Sequence, residues 1–283
     1  MKKKLVYPLL ICASLALTSC TQISISPFKA HTVANMILRN QENVYISSAY
    51  TFTYTLNTFF LSSDNNSKTH DITQTITYSQ KQMYFRIDTY SVTTSSNNGE
   101  YTKVDVNKSE WVYVQDRTTL QIVTEDKLTK QYTIDTNDYV FDDDAKFAFD
   151  SYYALLLPRY KSLILGQENL LRIINIMEMV SFENEFSSQN GTSLSQKYAS
   201  SDDGNLNANL YLNYLDKQVD DLSITGSNSI SAVYKNNLLI DLLEKDEYVA
   251  YNNGVLSSRE YNTISSSFKD RFVQIIKPNI PKN

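Results

Sequence analysis

The chain has 283 residues, a formal net charge of −5, six glycines, two histidines, two cysteines and one tryptophan. An acidic chain does not suit nucleic acid, because neutralising phosphates takes clustered Lys and Arg, and it does not dock electrostatically on anionic lipid. So few glycines leave little room for phosphate-cradling loops, and no Gly-x-Ser-x-Gly, Walker or Gly-x-Gly-x-x-Gly pattern occurs.

The first elements are those of a signal peptide. Met1-Lys2-Lys3-Lys4 is a basic start, Leu5 to Leu17 is an apolar run broken by Pro8 and Ser14, and Thr18-Ser19 lead to Cys20. The run is about 13 residues, against roughly 20 for a spanning helix, so it is expected to be removed rather than retained. Leu17-Thr18-Ser19-Cys20 resembles the bacterial lipobox. That resemblance implies cleavage between Ser19 and Cys20 and acyl lipid on the Cys20 thiol, palmitate being one such chain. Two acyl chains are enough for stable anchoring.

The expectation is therefore a lipid-anchored lipoprotein of the cell membrane or cell surface, extracytoplasmic and held in the envelope through Cys20. Removing 19 of the 283 residues leaves 264, and losing Lys2, Lys3 and Lys4 takes the charge from −5 to −8. Cys12 leaves with the signal, so no disulfide can form within the mature chain. Residues 20–27 read as a tether and 28–283 as one domain.

A helix is expected from Phe28 to about Asn40, where Phe28, Ala30, Val33, Ala34, Ile37 and Leu38 recur at helical spacing. The period then changes to two. Tyr50, Phe52, Tyr54 and Leu56 alternate with Thr51, Thr53, Thr55 and Asn57, and the same alternation runs through Ile72, Ile76 and Tyr78 and through Met83, Phe85 and Ile87. Further strands are expected near Tyr101 to Val106, Trp111 to Gln115, Leu120 to Thr124 and Gln131 to Asp135. Their separators, among them Ser63 to Ser67, Ser95 to Gly99 and Asn107-Lys108, are turn-like. Short turns imply an antiparallel meander, since parallel neighbours need long crossovers.

Two helices should follow. Asp142-Asp143-Asp144 charge-stabilises the start of Ala145 to Leu157, which Pro158 should end. In Gln167 to Val180, Leu170, Leu171, Ile173, Ile174, Ile176, Met177 and Met179 are apolar, and Arg172, Asn175 and Glu178 are spaced as a narrow polar stripe, as in a helix buried on most sides. Strands resume after Asp202-Asp203-Gly204, with Leu206, Ala208, Leu210, Leu212 and Tyr214 on one face. Asp221 to Thr225, Ser229 to Tyr234, Asn237 to Leu243 and Glu247 to Tyr251 come next. A last helix is expected over Thr263 to Ile276, from Ile264, Phe268, Phe272 and Ile275. The expected class is α+β: a large curved antiparallel sheet, an incomplete β-barrel, covered on one side by helices.

Candidates for catalysis and metal binding are sparse. The mature chain has His31 and His70 and no free thiol, and neither histidine has a ligand at helical or hairpin spacing. Asp138, Asp142, Asp143, Asp144 and Asp150 lack the spacing and glycine of a calcium loop and read as a solvated helix start. Asp241 to Glu247 reads as turns and solvated strand ends. No metal, cofactor or catalytic residue is expected.

The order of elements, together with Tyr84-Phe85-Arg86-Ile87-Asp88, Trp111-Val112-Tyr113-Val114 and Asp203-Gly204-Asn205-Leu206, resembles the LolA/LolB and LppX/LprG superfamily. The resemblance implies helices acting as a lid on the sheet, with acyl chains accepted between them. It assigns no residue. The aromatic stripes Tyr50, Phe52, Tyr54 and Met83, Phe85 are the candidates for lining an apolar ligand site, and equally for sheet core. The expected function is non-enzymatic binding or carriage of a lipid or other apolar ligand. A surface interaction or envelope-structural module with a solid core is the alternative. A solute-binding protein of an ABC transporter would need strand–helix alternation that the chain lacks. The sequence does not bear on oligomeric state.

Overall fold

The computed structural model describes residues 27–182, 193–201, 204–214, 222–270 and 273–280. Ser19, Cys20 and the whole signal peptide lie outside the described residues, as do most of the tether, Asp202, Asp203 and Phe272.

Helix α1 (Pro27–Asn40) buries Ala30, Val33, Ala34 and Ile37, the stripe its period predicts, and runs into a 3₁₀ turn at Gln41–Asn43. Six strands follow: β1 (Ala49–Ser62), β2 (Ser67–Ser79), β3 (Tyr84–Asn97), β4 (Glu100–Val114), β5 (Thr119–Asp126) and β6 (Gln131–Asp138). Helices α2 (Asp142–Leu165) and α3 (Gln167–Phe182) lead to β7 (Ser193–Ser201), β8 (Asn205–Tyr214), β9 (Leu222–Lys235), β10 (Leu238–Asn252) and β11 (Val255–Asp270). All eleven strands form one antiparallel sheet in the order β6-β5-β4-β3-β2-β1-β11-β10-β9-β8-β7. The two meanders meet where β11 pairs with β1, and α2 and α3 connect the strands at the two edges.

Three of the hairpins turn on two residues. Asn98-Gly99, Asn236-Asn237 and Asn253-Gly254 have positive φ at both positions, the geometry whose twist matches the flanking strands. Gly166 (φ 61°) ends α2, and a β-carbon there would lie 2.5 Å from Leu239 Cδ2.

Three expectations are corrected. Thr263 to Ile276 is not a helix: Ile264 and Phe268 lie two steps apart on β11 with Ser266 between them on the same face, so spacing by four satisfied both periods. The strands are longer than the alternation suggested. Asn107-Lys108 lies within β4, and 221–225 with 229–234 and 237–243 with 247–251 fall mostly on β9 and β10. Pro158 does not end α2. It sits on the exposed side, as does Ala154, whose carbonyl loses its partner and can bond water instead.

Even-numbered residues of β1 share one face of the sheet with the helices. There α1 and α3 pack on Leu206, Ala208, Leu210, Ile230, Ala232 and Tyr234 of β8 and β9, while α2 packs on aromatic residues of β1–β3. On the other face Tyr84, Trp111, Tyr113 and Val123 are covered by the C-terminal segment through Ile275 and Ile280. Tyr84 Oη and Trp111 Nε1 both donate to the Ile276 carbonyl, at 2.8 and 2.9 Å. Among the described residues no helix is long and apolar enough to cross a membrane.

Candidate functional site

The helix-side face of β1 can be followed rung by rung with its neighbours β2 and β11. The first rungs are Tyr78–Tyr50 and Ile76–Phe52–Phe268, extended on β3 by Phe85 and Ile87. All are buried beneath Phe149 and Ile164 of α2. The Tyr78 and Tyr153 rings stack at 3.8 Å, Tyr50 stacks on Phe268 at 5.3 Å, and the Tyr50 and Tyr153 hydroxyls are 3.2 Å apart. Burial raises the Tyr50 hydroxyl to about 12, so it stays protonated. Of the candidate ligand residues, Tyr50, Phe52 and Phe85 belong to this packed cluster, and Tyr54 and Met83 are half-buried against it.

The next rungs change character. Gln74–Tyr54–Ser266 is followed by Ile72–Leu56–Ile264, an apolar row whose three members are only partly buried, Ile264 packing against the core beneath α1 and α3. Burial and the negative charges of Glu168 and Glu244 raise the Tyr54 hydroxyl above its ordinary value.

Beside this row, β10 brings Glu244 opposite Ile264 and Asp246 opposite Asn262. Both carboxylates are buried, and Arg172 of α3 bridges them, reaching Glu244 with Nη1 and Asp246 Oδ2 with Nη2 at 3.0 Å. Asn169 donates to Glu244 at 3.0 Å, and Asn228 donates to Asp246. Burial raises the Glu244 carboxyl above the usual range, Arg172 opposes this, and Asp246 adds to it. The reading of Asp241 to Glu247 as solvated strand ends is thereby corrected. The segment is mid-strand, and a register shift between Leu239 and Asp241 sets Leu242, Glu244 and Asp246 inward together. The sequence signal was the lone cation in the polar stripe of α3.

The last rungs are His70–Thr58–Asn262 and Lys68–Phe60–Glu260. With Thr93 of β3 they line an open cleft of about 350 Å³. His70 Nδ1 lies 2.7 Å from Thr93 Oγ1, and Asn262 donates to Glu260 at 3.0 Å. Sequence reasoning weighed His70 for metal binding and catalysis and did not mark Thr58, Lys68, Thr93, Glu260 or Asn262.

The remaining candidates are dispersed. His31 contacts Glu178 at 3.0 Å, tying α1 to α3. Asp142, Asp143 and Asp144 are exposed in the first turn of α2, and Asp138 accepts from Thr119 at 2.9 Å. Among the described residues no group of three or more His, Cys, Asp or Glu could hold a metal ion. A second cleft, of about 400 Å³, lies between the end of α1 and the β9–β10 turn, lined by Asn40, Asn43, Tyr45, Asn236 and Asn237 among others.

No protein-family model matches the sequence, and a comparison with characterised proteins finds no match. Among solved structures, the chain overlaps the β domain of the Bordetella autotransporter BrkA with TM-score 0.20 and 7% identity, covering 78% of this chain and 99% of that one. The S-type phycobiliprotein lyase CPES of Guillardia theta gives TM-score 0.17 and 6% identity over 86% of this chain and 98% of that one. The translocator domain of the autotransporter NalP of Neisseria meningitidis gives 0.18 and 7% over 90% and 100%. Overlaps at these scores define no common architecture.

Proposed function

We propose that the protein is a lipid-anchored extracytoplasmic lipoprotein, non-enzymatic, that binds a lipid or other apolar ligand on the helix-covered face of an incomplete barrel. The observation that carries this reading is the gradient along β1. One sheet face passes from packed aromatics through the partly buried row Ile72–Leu56–Ile264 to an open cleft with polar rims. An apolar surface that stops short of burial, next to a concavity of ligand size, is the general form of a small-molecule site. In this reading α2 and α3 are the lid, and the two sheet edges they connect are the open seam of the barrel.

The test is solvent extraction of the purified protein followed by mass spectrometry, with titration of a fluorescent fatty acid. A co-purifying lipid or saturable uptake is expected, and neither appearing would sink the ligand-binding part. The anchor is tested separately by labelling cells with an alkynyl fatty acid. Label should appear on the wild type and vanish in Cys20→Ala.

The alternative, a surface interaction module, draws on the exposed aromatics Tyr90, Tyr101, Tyr251 and Tyr261. It becomes the better reading if the purified protein takes up no apolar probe.

A further inference from the structure

We propose that the cleft at the open end of β1 recognises a zwitterionic head group. The Lys68 and His70 side takes a phosphate or carboxylate, the Glu260 side takes an ammonium, and an attached apolar tail lies on the row Ile72–Leu56–Ile264. This rests on the ligand-binding reading and adds the chemical class of the ligand.

The charges are laid out for it. Lys68 and Glu260 pair with Phe60 from opposite sides, so their backbones are two strand spacings apart, roughly 10 Å. Among the described residues no ion pair joins them, yet both line the same cleft. Each charge therefore faces the cleft rather than being neutralised by the other, and a molecule carrying both signs satisfies both at once.

The surrounding groups sharpen the assignment. His70 Nδ1 lies 2.7 Å from the Thr93 hydroxyl, and in the tautomer that accepts there Nε2 carries the ring proton and can donate to an anionic oxygen beside Lys68. On the other side Asn262 holds the Glu260 carboxylate through a 3.0 Å hydrogen bond. Between them the exposed Phe60 ring offers a face on which an ammonium is attracted to the ring quadrupole. A purely anionic ligand would meet Glu260 as a like charge, and a purely cationic one would meet Lys68. The partly buried row lies one rung inward of His70 and Thr58, within reach of the first carbons of a tail.

The experiment is calorimetric titration of the purified protein with three probes: dihexanoyl phosphatidylethanolamine, dihexanoyl phosphatidylglycerol and glycerophosphoethanolamine. Lys68 and Glu260 are exposed, so Lys68→Met and Glu260→Gln leave the fold intact, which circular dichroism verifies. The zwitterionic lipid should bind the wild type, and each substitution should weaken it about tenfold, the scale of one charge-assisted contact. The glycerol head group lacks the ammonium, so that lipid should bind more weakly and gain rather than lose affinity in Glu260→Gln. Glycerophosphoethanolamine binding as tightly as the lipid would support the head-group assignment and make a water-soluble zwitterion the ligand. Zwitterionic lipid binding that neither substitution changes would overturn the assignment while leaving an apolar ligand on this face. Failure of all three probes would also overturn it, and fatty-acid uptake would then judge the wider reading alone.

Discussion

The two ends of β1 are built from the same strands, register and alternation, and they differ in what lies above them. At the Tyr50 end α2 adds Phe149, Tyr153 and Ile164, and Tyr50, Phe52, Ile76, Tyr78 and Phe268 are buried; at the Phe60 end no helix arrives among the described residues and the inward residues are charged or only partly buried. Alternation thus specifies which side of a strand faces a partner, and the partner specifies whether that side becomes core or surface. Where both sides are wet the strand continues only because its neighbours do, each rung adding backbone hydrogen bonds on both flanks.

The comparison can be broken from the packed end first. Phe52→Ala removes a fully buried ring from between Ile76 and Phe268 and should cost about 3–5 kcal/mol, read as a lower urea midpoint at unchanged slope. An effect under about 1 kcal/mol would mean this end is not tightly packed.

Arg172→Met comes next, leaving Glu244 and Asp246 buried without their cation. Breaking a buried pair costs roughly 3–5 kcal/mol, and since Arg172 is itself partly exposed a loss of about 2–3 kcal/mol is expected. Combining Arg172→Met with Glu244→Gln should recover part of that loss. No recovery would place the effect in helix packing rather than charge.

Glu244→Gln alone tests the titration. The Glu244 carboxyl is raised above its ordinary 4.5 in the folded protein, so the folded state binds the proton more tightly. Its contribution is fully present below the unfolded value and is lost as pH rises through the folded one. Wild-type stability should therefore fall relative to Glu244→Gln on going upward from about pH 4.5, read from urea unfolding curves at a series of pH values from pH 4 to pH 8. A difference that is flat with pH would show that Arg172 fully offsets the burial.

Phe60→Ala should have the smallest effect on stability, within about 0.5 kcal/mol, because the ring is already exposed. It should still weaken binding of the zwitterionic lipid, separating the two ends by function as well as by stability.

Much of this arrangement was legible in the sequence. The start of α1, the two central helices and the alternation of β1 follow from period alone, and Asn98-Gly99, within the expected turn Ser95 to Gly99, falls where a hairpin turns. What escaped has physical causes. Ile264 and Phe268 fit a helix face and a strand face equally, and only pairing with Leu56 and Phe52 decides between them. Glu244 and Asp246 look solvated in isolation, because the cation that permits their burial is seventy-odd positions away on α3. The cleft was invisible for the same reason: Lys68, Phe60 and Glu260 become one rung only through the pairing of β2, β1 and β11. The resemblance supplied the idea of a lid but no residue of the polar rim.

The insertion of β11 beside β1 also fixes an order of events. Every other strand pairing joins strands that follow one another in the chain, so each can close as a local hairpin. The β1–β11 pairing instead joins Phe52 to Phe268 and must wait until almost the whole chain is present. Until then β1 offers a free edge on one side, and its aromatic face lacks Phe268. Contacts of such sequence separation make folding slow, and an unpaired edge invites association with other strands. A chain of this design gains from protection of its first hairpin while its last one is still arriving.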